Sequence, residues 1–386
     1  MVIPETVTAI PDYAFYGCNR LNTVTVSGSV TSIGKYAFSG CSLLRNLIFE
    51  DGLGKLDIGY EAFYEDRITS IYLGRFLSSI PCNKYRIQEV IVGNLIEEIP
   101  ASYFESCFAL KSLKLGSGIK TIKENAFHRC NIKEVVIPPS VETIGEFAFS
   151  EGFYLDTIII GPNVKTIGQS AFDRCRASSV YITAQTPPVA PDNTFDDFND
   201  KLYLQGQNTV EAYKNATSCW NRFSSYVMIE PTEMKYEGEI KFDGKIGDTF
   251  QLKATLLPQN VTLPQLFWRS TNPRIATVDV NGKVTLHADL SEVRSTAAAV
   301  DGASNSCKII VESLYANGPV LEIDILNESA DVEQVISDEI TSEIDYNFPI
   351  EVYNLNGYRI GNTLENLAPG IYIIRQGNFV KKIAIK

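Results

Sequence analysis

Val136–Phe149 reads VIPPSVETIGEFAF, and Val2–Phe15 reads VIPETVTAIPDYAF. A phrase used twice in one chain is a repeat signal, and the aromatic at its end gives the phase. That aromatic recurs at Phe15, Phe38, Phe63, Phe104, Phe127, Phe149, Phe172 and Phe195, in steps of 23, 25, 41, 23, 22, 23 and 23. The 41-residue step holds two units, one of which lacks the Ala-Phe turn. Apolar triplets form a second marker: VTV from Val24, LIF from Leu47, IYL from Ile71, VIV from Val90, LKL from Leu113, VVI from Val135, III from Ile158, VYI from Val180 and LYL from Leu202. Each reads as a short strand with its outer two residues inward, stacked in parallel on the next. The second inward pair, such as Val141 and Ile144, comes from the Ser-Val-x-x-Ile-Gly segment. One unit cannot bury its apolar face alone, so stacked units must share a continuous core.

The period falls in the range of leucine-rich repeats. The pattern IPxSVxxIGxxAFxxCxxLxxVxI, carried by IPPSVETIGEFAF and SVTSIGKYAFSGCSLLRNL, resembles the BspA-like leucine-rich repeats of bacterial surface proteins. The resemblance covers roughly 2–226. TPPVAPDNTF then leads to a last strand, and Val210, Tyr213 and Trp220 of the following NTVEAYKNATSCWNRF suit the apolar side of a capping helix. Terminal repeats need such a cap.

Beyond Tyr226 the repeat stops. GDTFQLKATLLPQN, LFWRSTNPRIATVDVNGKVTL and SCKIIVES read as strands between turns, with Asn281-Gly282 as a hairpin signal and Trp268 as a core residue. This stretch resembles the bacterial immunoglobulin-like group 2 domain, through Gly247, Asp248, Leu252, Trp268, Asn272, Pro273, Ala276, Val278 and Gly282 among others. The usual Gly-rich strand after the hairpin is replaced by HADLSEVRSTAAAV. Residues 320–345 hold nine Asp or Glu and no Lys or Arg, which reads as a linker or a solvated edge. VYNLNGYRI, PGIYIIR and KKIAIK at the end resemble the C-terminal sorting modules of secreted Bacteroidetes proteins, or form a small β-domain that caps the chain.

The expected class is α+β, mostly β: a leucine-rich-repeat solenoid (1–226), an immunoglobulin-like β-sandwich (227–313), an acidic linker (314–345) and a sorting or anchoring β-module (346–386). Because the first phrase enters a repeat partway through, the chain is expected to begin inside a unit, with upstream residues and any export leader removed.

Net charge is −12 with pI about 4.9, which argues against nucleic acid and anionic membrane as main partners. No run of about 18 apolar residues offers a transmembrane helix. Only two histidines exist, His128 and His287, in different modules, and no phosphate-binding glycine loop is present. The tract PDNTFDDFND lacks the glycine an EF-hand loop needs and reads as a solvated turn. Neither catalysis nor a cofactor is therefore expected. Five cysteines, Cys18, Cys41, Cys107, Cys130 and Cys175, stand three residues after the marker Phe. They read as one repeated core position of free thiols, with disulfides between neighbouring units the minor alternative.

The middle residue of each triplet points outward, onto the concave face. Thr25 begins this column, and the candidate ligand contacts are Ile48, Tyr72, Ile91, Lys114, Val136, Ile159, Tyr181 and Tyr203. Asn22, Arg45, Lys111, Lys133 and Asp156 flank them. An exposed apolar column is either a contact surface or a consequence of β-propensity. The family resemblance implies a non-enzymatic secreted or cell-surface protein that binds a host or bacterial surface protein, matrix or glycan. The alternative is a structural envelope component without a dedicated ligand.

Overall fold

In the computed structural model the triplets form the expected column of parallel strands. The structure describes residues 1–195, 201–229, 233–237, 244–257, 263, 265–290, 307–315, 320–325, 351–354, 359–361, 370–376 and 379–385. The column comprises a six-stranded sheet, from Val2–Ile3 to Ser112–Lys114, and a five-stranded sheet, from Glu134–Val136 to Ser225–Ile229. Val2–Ile3 and Ser225–Ile229 thus extend the nine triplets at both ends. Register is strict: Ile48 lies beside Tyr72, Tyr72 beside Ile91 and Ile91 beside Lys114, while Val136, Ile159, Tyr181 and Tyr203 are adjacent in that order. A second column of two-residue strands, including Glu98–Ile99, Thr121–Ile122, Thr143–Ile144 and Thr166–Ile167, supplies the other inward pair.

Between the columns the marker rings stack. Phe104, Phe127, Phe149, Phe172 and Phe195 form one run with centroids 5.1–5.4 Å apart and planes within 8°. Phe15, Phe38 and Phe63 form another, and the runs are separated by the unit that lacks Ala-Phe. There a 3-10 turn, Lys84–Arg86, replaces it. Two residues per unit, at two before and two after the ring, take the left-handed conformation: Tyr13 and Gly17, Tyr36 and Gly40, Asn125 and Arg129, Phe147 and Glu151, among others. Only Gly17 and Gly40 avoid the Cβ penalty there.

All eight cysteines are free. The thiols of Cys41, Cys130 and Cys175 donate to the carbonyls of Phe15, Phe104 and Phe149 at 3.2–3.3 Å, which ties each unit to the one before it. Burial pushes the Cys41 thiol up to about 11 and Cys175 up to about 12, so neither is a nucleophile at neutral pH.

The stack ends on a helix, Gln207–Lys214, and a 3-10 turn, Cys219–Arg222. Trp220 lies edge-on to Phe195 at 5.5 Å and donates its indole N–H to Pro188, while the Tyr213 hydroxyl donates to Ala184. Among the residues of PDNTFDDFND, 196–200 lie outside the described residues.

Three small antiparallel sheets follow. Glu233–Glu237 pairs with Lys253–Leu257; Thr249–Gln251, Lys283–Leu286 and Ala276–Val278 form the second; Leu266–Ser270, Lys308–Ser313 and Val320–Asp324 form the third. The hairpin before Lys283 turns at Gly282 in the left-handed region, and the Asp279 carboxylate accepts the N–H groups of Asn281 and Lys283. Val320–Asp324, expected as linker, is a sheet strand; 316–319 and 326–345 of the expected linker lie outside the described residues. Solenoid and sandwich share one compact unit, Met1–Ile240 with Gly244–Ile325. The second unit holds Lys241–Asp243 and Leu326–Lys386, with a four-stranded sheet in which Gly370–Gln376 pairs antiparallel with Phe379–Ile385.

Candidate functional site

The outer face of the strand column is where the sandwich docks. Ile159 and Ile229 of the solenoid pack with Leu263, Phe267, Leu314 and Tyr315 of the sandwich, and Val136, Tyr181 and Tyr203 pack against that cluster. Tyr181 and Tyr203 stack on each other at 4.3 Å. Four of the eight candidate contacts therefore belong to a domain interface. The physical cause is plain: a row of β-branched and aromatic side chains buries more apolar area against a second apolar surface than against water.

Polar contacts fix the register of the two domains. Asn94 is buried, donates its amide to the Val278 carbonyl at 2.6 Å, and accepts the Ser117 N–H at 2.9 Å. The Ser117 hydroxyl donates to the Trp268 carbonyl. Asn94→Ala leaves the Ser117 N–H and the Val278 carbonyl buried without partners. It is expected to lower unfolding stability by about 2 kcal/mol, measurable by urea titration, whereas an exposed control, Lys55→Ala, should change little.

Of the clefts between the domains among the described residues, two open onto the outward column. The larger, about 1030 Å³, runs along Thr25, Ile48, Tyr72 and Ile91 and is roofed by sandwich residues that include Arg274, Asp279, Lys283 and His287. Within it the Tyr72 hydroxyl donates to Asp51 at 2.9 Å. Burial pushes the Asp51 carboxyl up to about 7, against the lowering effect of that hydrogen bond, and Asp279 and Glu50 push it further up. Burial also lowers the His287 imidazole, whose Nε2 lies 2.8 Å from the Thr277 hydroxyl. The smaller cleft, about 380 Å³, surrounds Lys114 and Val136 and is closed by Gln265, Leu266, Phe267 and Trp268. Of the eight candidate contacts only Lys114 is exposed.

Sequence reasoning missed Asp51, Asn94, Ser117 and Asp279. The first three stand at the corners after their strands, where residue type varies from unit to unit, so no periodic signal marked them. Among the described residues no group of His, Cys, Asp or Glu could hold a metal ion, and no helix is long and apolar enough to cross a membrane.

Known proteins bear on this geometry at the level of family. The family model described as BspA type leucine rich repeat region matches 1–83 and 81–199 in 6 copies, and the bacterial Ig-like domain (group 2) matches 244–289. An uncharacterized protein of Clostridium acetobutylicum is 34% identical over 85 residues, 21% of this chain and 21% of its own length. A leucine-rich repeat protein from Bacteroides ovatus is 22% identical, covering 59% of this chain and 60% of that one, with a TM-score of 0.35. The pneumococcal vaccine antigen PcpA is 16% identical, covering 58% and 78%, with a TM-score of 0.31. A leucine rich cell surface protein from Faecalibacterium prausnitzii is 17% identical, covering 59% and 86%, with a TM-score of 0.26. The chain spans about a fifth of the curated relative it matches and three fifths of the Bacteroides ovatus structure. It belongs to the BspA-type leucine-rich-repeat family and carries a group 2 immunoglobulin-like domain.

Proposed function

We propose that this member of the BspA-type leucine-rich-repeat family is a non-enzymatic binding protein of the bacterial surface. It takes a protein, matrix or glycan ligand on the outer face of the strand column. The observation that carries the reading is the division of that face. Val136, Ile159, Tyr181 and Tyr203 hold the sandwich, while Ile48, Tyr72, Ile91 and Lys114 line clefts still open beside it. On this reading the sandwich is a wall of the site rather than a spacer, and the C-terminal sheet serves sorting or attachment. Clefts of this size, with apolar floors and a few converging polar groups, are what small ligands and protruding side chains or sugars use.

The test is binding of the fluorescently labelled full chain to arrays of glycans and immobilised matrix proteins. Combined Ile48→Ser, Tyr72→Ser and Ile91→Ser replacement should weaken the retained interaction at least tenfold with the fold intact by circular dichroism. Equal binding by this variant would move the site off the strand face.

A further inference from the structure

The outward column carries a single charged residue, Lys114, between Ile91 and Val136, and two more lysines line the same cleft. Lys111 and Lys133 occupy the same repeat position in neighbouring units, where Asn22, Arg45 and Asp156 stand elsewhere. All three residues line the smaller cleft. Several cations elsewhere in the solenoid pair with acids on the neighbouring unit. Lys120 meets Glu97 at 3.3 Å, Lys165 meets Glu142 at 2.6 Å, and Arg129 and Arg174 share Glu151 at 2.7 and 3.0 Å. Among the described residues Lys111, Lys114 and Lys133 have no ion pair; Glu134 lines the same cleft without forming one.

The backbone is also opened at this place. In the preceding and following units, two successive N–H groups donate to one carbonyl at the strand entry. Lys111 and Ser112 donate to Gln88, and Asp156 and Thr157 donate to Lys133. Between the Lys111 and Lys133 units the pair is missing, and the long sheet divides there. The wall opposite supplies acceptors rather than acids. Gln265 lines the cleft, and its Oε1 is shut from water with no hydrogen-bond donor, a cost that a ligand hydroxyl would remove as the amide turns.

We propose that the cleft between the strands Ser112–Lys114 and Glu134–Val136 and the sandwich binds one acidic sugar residue. Lys111, Lys114 and Lys133 hold its carboxylate, and Gln265 accepts a hydroxyl. This deepens the reading of the strand face as the binding surface and rests on it. A volume near 380 Å³ admits a sugar or two and excludes a helix or a folded partner.

The test is calorimetric titration of the full chain with a β-glucuronide disaccharide, its carboxyl-reduced neutral counterpart, inorganic sulfate and a triglutamate peptide. The glucuronide should bind at least tenfold more tightly than its neutral counterpart, and sulfate and triglutamate should not displace it at equal concentration. Lys114→Gln, and separately Lys111→Gln with Lys133→Gln, should each lower glucuronide affinity at least tenfold. All three sites are exposed, so these chains should melt like the parent. Equal binding of acidic and neutral disaccharide overturns the proposal, as does unchanged affinity in Lys114→Gln. Displacement by sulfate would make the cleft a general anion site, and displacement by triglutamate a peptide site; either also overturns it. Failure to bind any of the four overturns the sugar assignment alone, because retention on the arrays and its loss in the Ile48, Tyr72 and Ile91 variant test the surface function independently.

Discussion

Phe127→Ala is expected to lower the stability of the solenoid by about 3–5 kcal/mol. The ring is fully buried and sits second in the run of five, with Phe104 at 5.1 Å and Phe149 at 5.2 Å, both nearly parallel to it. Truncation removes transfer energy, leaves a void and strips two neighbours of their stacking partner at once. The void cannot close easily, because the backbone on either side is fixed by unit-to-unit hydrogen bonds. The Phe127 N–H donates to the Ala148 carbonyl at 2.8 Å, and the Phe104 N–H donates to the Ala126 carbonyl at 2.9 Å. Solenoid stability is a chain of nearest-neighbour terms, so a break in the middle costs more than one at the end. Phe15→Ala, in the half-buried first unit with a ring on one side only, should cost less than half as much. Urea midpoints of the two variants decide the matter. Equal losses would mean that the ring stack contributes no coupling beyond its own burial.

The repeat was legible because its signals recur in sequence. Phe127 and its equivalents, the triplets, and the cysteines all stand at fixed spacing, and packing repeats with them. The cap was legible for a related reason: Val210, Tyr213 and Trp220 sit on one apolar side of a segment that follows the last unit. Three features were not. The outward column could be weighed only as a ligand surface or as sheet propensity, since nothing in Ile159 or Tyr203 names Phe267 and Tyr315 as partners. That match depends on the shapes of two surfaces far apart in sequence. The left-handed residues were hidden because Tyr13, Asn125 and Arg129 occupy positions where only Gly17 and Gly40 carry the expected signature. The division of the sheet beside Lys133 was hidden because a missing hydrogen bond leaves no trace in composition. The clefts, which decide where a ligand reaches the strand face, follow from the first and third of these.

The contribution of Asp51 and Asp66 to stability should fall as pH rises from about 4 to about 7, the reverse of the usual behaviour of carboxylates in this range. Asp51 is pushed up to about 7 and Asp66 up to about 6, in both cases chiefly by burial. Each therefore holds its proton in the folded chain at pH values where the unfolded chain has released it. The folded state binds more protons across this window, so the slope of unfolding free energy with pH is negative. The stabilisation is complete below the ordinary carboxylate range and is lost as pH climbs through the folded-state value. For Asp51 the fall is at most about 4 kcal/mol by the conversion of pKa into free energy. The groups around it explain why ionisation is disfavoured. Tyr72 donates one hydrogen bond, but Glu50 stands beside Asp51 in the chain and Asp279 faces it from the sandwich. Lys283 and Arg75 act on Glu50. Asp51→Asn keeps an acceptor for the Tyr72 hydroxyl and removes the titration. It should match the parent at pH 4.5, exceed its stability by about 2–4 kcal/mol at pH 7.5, and flatten the profile between them, with Asp66 left to supply the remaining slope. Urea unfolding at the two pH values measures both effects. A variant with the parent's undiminished slope would show that Asp51 is ionised within the fold and that the cleft beside Tyr72 is wetter than its burial implies.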